Sequence, residues 1–234
     1  MATKKITTMP TTYSCKYCNK EFKRENSLAV HLCEKKKRWQ AKDEKGPRIG
    51  FNAYLKFYQY TQNSTKPKTQ MEFIKSPYYK AFVKFGRYCA DINAINVDRF
   101  IEFVIKKNKK LDYWTSDALY TEYLTVLLVT ENPIDTLTRA IKHSMKWAEQ
   151  NAADSKDMLR HGNANANCYA ISNGHVSPWV LYNCNSGIAF LETLSRDQTE
   201  IIWDFIDPSV WSGKFADYPT DVKYIKEMLA QAGW

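Results

Sequence analysis

From position 49 onward, apolar residues recur at helical spacing. Phe51, Tyr54, Leu55 and Tyr58 fall at i, i+3, i+4 and i+7, which predicts a helix over 50–61 with one apolar face. Residues 63–69 read as a loop. Ser76-Pro77 then has the signature of a helix start, with serine as N-cap and proline in the first turn, and Tyr78, Ala81, Phe82, Phe85, Tyr88 and Cys89 form the stripe that follows. Asn96 precedes a helix that turns Phe100, Phe103 and Val104 inward. Two longer helices are predicted over 111–129 and, after Asn132-Pro133, over 134–150, the second with Leu137, Ile141, Met145 and Ala148 on one face. The last third is less regular: a helix over 158–171, a turn at Asn173-Gly174, a short segment at 179–182, a separator at Asn185-Ser186-Gly187, and closing helices over 197–206 and 220–232. No period of 20 to 50 residues recurs, so the expectation for 49–234 is a single, mainly α domain.

The first 48 residues follow a different rule. Residues 1–11 are polar and Thr-rich, and read as disordered. Residues 12–33 carry Tyr13-x-Cys15-x2-Cys18-x3-Phe22-x5-Leu28-x2-His31. Two thiolates on a tight hairpin knuckle and an imidazole on a following helix can meet at one tetrahedral Zn²⁺, while Tyr13, Phe22 and Leu28 supply a small core. The fourth ligand is expected at Cys33. On an uninterrupted helix, at roughly 100° per residue, His31 and Cys33 would point about 200° apart, so both reach one ion only if the helix ends at His31. The alternative is a reduced, unliganded pair of surface cysteines.

This frame resembles the two-Cys, two-His zinc-finger family, here with Cys-Cys-His-Cys ligands, over about a tenth of the chain. The resemblance implies a ββα unit. It also places Arg24, Ser27 and Val30 at the helix positions that face bases in DNA-reading fingers, where Arg24 would pair with guanine and Ser27 and Val30 discriminate less. The finger, the basic segment after it and the aromatic α body together loosely resemble small zinc-finger proteins of T-even-type tailed bacteriophages, some of which are thought to act on host transcription.

Residues 34–48 read as a basic linker, closed by Gly46-Pro47, which disfavours helix at Gly46 and marks the expected domain boundary. Trp39 within it either anchors the segment against the next domain or stacks on a base. The charge concentrates here: residues 1–48 hold 13 Lys and Arg against 5 Asp and Glu, whereas the whole chain of 234 residues is only +9. Such a cluster, with Lys35, Lys36, Lys37 and Arg38 in one run, suits phosphate binding through counterion release. A solvated linker is the plainer reading of the same charges.

Two further points bound the function. No apolar run approaches a membrane span and the start of the chain has no apolar leader core, so a soluble, intracellular protein is expected, in the host cytoplasm if viral. Beyond residue 48 there is no Gly-rich phosphate loop, no Gly-x-Ser-x-Gly and no His-Glu-x-x-His, so no enzyme is expected. His161, His175, Cys168 and Cys184 form a weaker candidate for a second metal site, and Asp204, Asp207, Asp217 and Asp221 for a nuclease's Mg²⁺. The leading expectation is a zinc protein that binds nucleic acid, DNA ahead of RNA, mainly through the backbone. Its rivals are an adaptor docking on a protein of the transcription or replication machinery and, more weakly, a metal-dependent nuclease.

Overall fold

The computed structural model describes residues 12–62 and 66–234; the expected disordered stretch 1–11 and part of the expected 63–69 loop lie outside these. The described chain is mainly α-helical, with one two-stranded antiparallel sheet near its start. It packs as two compact units, the first of the described residues up to Asp91 with Ile105–Trp114, the second of Ile92–Val104 with Thr115–Trp234. Among the described residues no helix is long and apolar enough to cross a membrane.

The first unit opens with strands β1 (Tyr13–Ser14) and β2 (Glu21–Phe22), paired Tyr13 to Phe22 and Ser14 to Glu21. Helices α1 (Glu25–Ala29), α2 (Glu34–Gln40), α3 (Lys45–Gln62), α4 (Gln70–Lys75) and α5 (Tyr79–Asp91) follow. The expected linker 34–48 is therefore largely helical, and the expected boundary at 48/49 falls inside α3. Gly46-Pro47 does not break the helix because it sits in the first turn, where proline lacks nothing that the helix needs and Gly46 has no Cβ to meet the proline ring.

Those residues are instead the closest part of a helix–helix seam. Gly46 and Gly50 on α3 face Gly86 on α5, and a Cβ on Gly86 would stand 2.0 Å from the Gly46 carbonyl oxygen. The two backbones touch, with Tyr54, Phe73, Phe82 and Trp114 filling the space beyond; Tyr54 meets Phe82 edge-on at 5.6 Å and Phe82 meets Trp114 at 6.0 Å. Two starts differ from expectation in this unit. The capping box of Thr69 and Glu72 begins α4, a helix the periodicity did not predict, and Ser76 both ends α4 and accepts the Tyr78 N–H at 3.1 Å ahead of α5.

Helix α6 (Val97–Lys106) contributes to both units, and a 3-10 turn at Leu111–Tyr113 follows. The helix expected over 111–129 starts only at α7 (Asp117–Thr130), because Ser116 is extended (φ −95°, ψ 128°). Then come α8 (Pro133–Asn151), with Asn132 as N-cap as expected, α9 (Met158–His161), α10 (Ala164–Ser172), α11 (Pro178–Leu181), α12 (Asn185–Glu192), α13 (Arg196–Ile206), α14 (Pro208–Asp217) and α15 (Pro219–Gln231). On α8 the buried face is Thr136, Leu137, Ala140 and Ser144, not the expected stripe through Met145, which is exposed. Asn185-Ser186-Gly187 is the first turn of α12 and not a separator, since the Cys184 sulfur accepts the Gly187 N–H at 3.3 Å. Leu124, Leu128, Ile171, Trp179, Ile202 and Ile225 centre the core of this second unit.

The glycine seam predicts opposite outcomes for two Gly→Ala changes. Gly86→Ala forces the α3 and α5 backbones apart and should cost about 1–3 kcal/mol in urea unfolding. Gly213→Ala, on the exposed side of α14 with nothing within 4 Å of the added methyl, should stabilise by roughly 0.5–1 kcal/mol. A Gly86→Ala protein as stable as the parent would contradict the seam.

Candidate metal centre

Four soft donors are gathered by three separate pieces of local structure. Between β1 and β2 the chain makes a tight knuckle: the Cys15 N–H donates to the Lys20 carbonyl at 2.9 Å and the Asn19 N–H to the Cys15 carbonyl at 2.7 Å. Asn19 is left-handed there (φ 61°), a conformation that Asn adopts more cheaply than other L-residues. The knuckle brings Cys15 and Cys18 to one side. His31 follows α1, and Cys33 lies two residues further on.

Helix α1 ends at Ala29, with Val30 as its C-cap, so residues 31–33 are outside any helix. Cys33 is extended (φ −81°, ψ 162°) and is itself the N-cap of α2, where its sulfur accepts the Lys36 N–H at 3.4 Å. The break that two ligands at i and i+2 demand is thus present, slightly earlier than His31. The donor atoms of Cys15, Cys18, His31 and Cys33 all lie within 4.8 Å of one another, with Cys15 Sγ to Cys33 Sγ at 4.0 Å and Cys18 Sγ to His31 Nε2 at 3.3 Å. For metal–sulfur bonds of about 2.3 Å and a metal–nitrogen bond of about 2.0–2.1 Å, the edges of a tetrahedron are about 3.8 Å and about 3.6 Å. The donor set and its spacing therefore fit one tetrahedral soft-ligand ion.

The electrostatics fit as well. Burial pushes the Cys15 thiol up, but amides of Cys18 and Tyr17 directed at its sulfur, with the neighbouring thiols, bring it below the ordinary cysteine value. At Cys18 the Lys20 amide favours the thiolate, yet burial and the neighbouring sulfurs of Cys15 and Cys33 outweigh it and leave the thiol raised. Crowded sulfurs cannot all ionise without a cation among them.

The surrounding packing is thin on the outer side and firm on the inner side. Phe22 packs on the His31 ring at 4.8 Å, while Tyr13, Phe22 and Leu28, the expected core, are each only half-buried. The better-buried ring is Tyr17, between the two knuckle cysteines, which meets Trp39 of α2 at 5.9 Å. Sequence reasoning missed Tyr17; an aromatic inside Cys-x2-Cys was the available signal. Trp39 packs back on the knuckle, where the expected anchoring was against the domain that follows.

The expected nucleic-acid residues fall into two groups. Arg24, Ser27 and Lys37 are exposed and Lys35 is half-buried. Lys36 donates from Nζ to the His31 carbonyl at 3.1 Å, and Arg38 is built into the fold: its Nη1 donates to the Ile74 carbonyl of α4 at 2.9 Å, its Nε pairs with Glu34 at 3.3 Å, and its guanidinium lies 4.4 Å from the centre of the Tyr79 ring.

Elsewhere the candidate ligands are not brought together. Cys15, Cys18, His31 and Cys33 are the one group of three or more metal-ligating side chains among the described residues. His175 stacks on His143 and not beside Cys168; Cys184 caps α12; and the Asp207 carboxylate caps α14 by accepting the Ser209 N–H at 2.8 Å. In comparisons with known proteins, no family model, no curated protein and no solved structure matches the chain.

Because Arg38 joins α2 to the rest of its unit, Arg38→Ala should cost roughly 1.5–3 kcal/mol in urea unfolding, the range for a hydrogen bond from a charged donor. Lys37→Ala, its exposed neighbour, should stay within about 0.5 kcal/mol of the parent. Equal effects of the two would remove Arg38 from this role.

Proposed function

We propose that Cys15, Cys18, His31 and Cys33 hold one structural Zn²⁺, closing residues 12–33 into a ββα-type finger, and that the protein is a non-catalytic, nucleic-acid-associated binding module. The observation that carries the zinc reading is the gathering of three sulfurs and one imidazole nitrogen within 4.8 Å. When bound, the ion neutralises the thiolates and supplies folding free energy, roughly 10–16 kcal/mol for structural zinc in finger peptides. A hairpin and a five-residue helix with no buried residue of its own need such a source.

Contact through phosphates, and not through base edges, is supported by the shortness of α1. Five residues span about 7.5 Å. Arg24, its N-cap, keeps the place just before the helix from which fingers read a base, but Val30, the third such position, is already the C-cap, so the helix stops short of carrying it. Exposed Lys16, Lys20, Lys23, Arg24 and Lys37 surround the centre, and with Arg38 engaged by Ile74 the phosphate-binding set narrows to Arg24, Lys35 and Lys37, with Lys36 able to join by releasing the His31 carbonyl. DNA is the first ligand to test and RNA the second.

A second reading rests on a specific observation. Val30 is 82% and Leu32 52% exposed beside the centre, an apolar pair that suits docking on a protein of a transcription or replication complex.

Native mass spectrometry should find one zinc per chain, weakened or lost in Cys33→Ser; a metal-free parent would overturn the site. Duplex DNA affinity should fall steeply with salt, and Lys35→Ala with Lys37→Ala should reduce the log–log slope by about one unit each. Salt-independent binding would overturn the phosphate reading. Loss of a captured partner in Val30→Ser with Leu32→Ser, undisturbed by excess DNA, would favour the adaptor.

A further inference from the structure

The second unit contains a cleft of about 880 Å³ bordered by α8, by the segment before α6 and by α10 with the corner after it. Its size lies within the range of small-molecule sites, roughly 300–1,000 Å³. Lys142 and Lys146 stand one turn apart on α8, both exposed, and neither has a carboxylate in ion-pair range among the described residues. Arg139 also borders the cleft but is committed elsewhere: its two terminal nitrogens donate to the Glu131 carboxylate at 2.7 and 2.6 Å and its Nε to the Gly174 carbonyl at 2.8 Å. Asp135 is the one acidic residue on the lining.

Between these cations, the imidazoles of His143 and His175 lie parallel with centres 5.2 Å apart, and neither ring has a hydrogen-bond partner within the protein among the described residues. Face-to-face rings cannot direct two nitrogens at one ion, so the pair is no metal site. Burial, then His143, Arg139 and Lys146, push His175 down to about 4, and burial with Lys146 lowers His143. Both rings are neutral at pH 7 and each offers one donor and one acceptor in a positive field. Half-buried Trp147 and exposed Tyr169 add two aromatic faces at the margin.

Unpaired ammonium groups, polar ring edges without partners and flanking aromatic faces are together complementary to one ligand chemistry. We infer that this cleft binds a phosphorylated nucleoside, with the phosphate on Lys142 and Lys146, the imidazole pair hydrogen-bonding the phosphate or sugar, and the base against Trp147 or Tyr169. The ligand is a free nucleotide or one unit of a single strand. The site is remote in sequence from the zinc ligands and does not rest on the finger reading.

The test is a titration of the zinc-replete full chain, followed by NMR of the four histidine rings. AMP should shift His143 and His175 saturably and leave His161 in place, while adenosine and inorganic phosphate should each bind at least about tenfold more weakly, since each lacks one half of the recognition. Lys142→Ala and Lys146→Ala should each weaken AMP about tenfold, the effect of one charge-assisted hydrogen bond, while the spectra stay those of a folded chain. Octathymidylate binding far more tightly than TMP marks a strand as the source, and equal affinity per site marks free nucleotide. No movement of His143 or His175 at millimolar AMP, unchanged affinity in both lysine variants, or phosphate binding as tightly as AMP would each overturn the inference.

Discussion

Two side chains only two residues apart can serve one metal ion only if they face one point, and much of the first unit is arranged as that constraint requires. A continuous helix would turn His31 and Cys33 away from each other; instead α1 stops at Ala29 and four residues run outside helix before α2 starts. Cys33 then serves twice, as a donor to the centre and as the N-cap of α2. The centre therefore fixes where α2 begins. One and a half turns later, Arg38 reaches the Ile74 carbonyl and the Tyr79 ring, and Trp39 returns to Tyr17 in the knuckle. Ligand geometry, helix start and docking are links of one covalent path.

What α2 docks on is stiff for a different reason. Gly46, Gly50 and Gly86 let α3 and α5 meet backbone to backbone, and the aromatic rings around Trp114 fill the remaining volume. A closely packed helix pair transmits strain and does not absorb it. A small element with little core of its own, whose four donors could hold one metal ion, is thereby mounted on a well-packed support.

Features that depend on residue type at short spacing were legible in the sequence. The four donors, the need for a break between His31 and Cys33, the helical stripes around Phe82 and Phe100, and the helix start at Asn132-Pro133 were all readable. What depends on partners distant in the chain was not. Gly46-Pro47 reads as punctuation until Gly86 is placed against it, and Arg38 reads as one more phosphate-binding cation until Ile74 and Tyr79 come beneath it. By spacing Met145 continues an apolar stripe on α8, but packing selects the face through Thr136 and Ser144. Helices α4 and α14 were missed although their start signals, Thr69 with Glu72 and Asp207-Pro208, stand in the chain, because short helices carry too little periodicity to be seen by it. The His143–His175 stack joins residues 32 apart and had no local signal at all.

The proposed ion is held by three sulfurs and one nitrogen, with Cys33 among them. X-ray absorption at the zinc edge of the purified full chain tests it most directly. Three sulfurs at about 2.3 Å and one nitrogen at about 2.0–2.1 Å are expected around the ion, with an oxygen replacing one sulfur in Cys33→Ser. A shell of two sulfurs in the parent protein, or one that Cys33→Ser leaves unchanged, would contradict it.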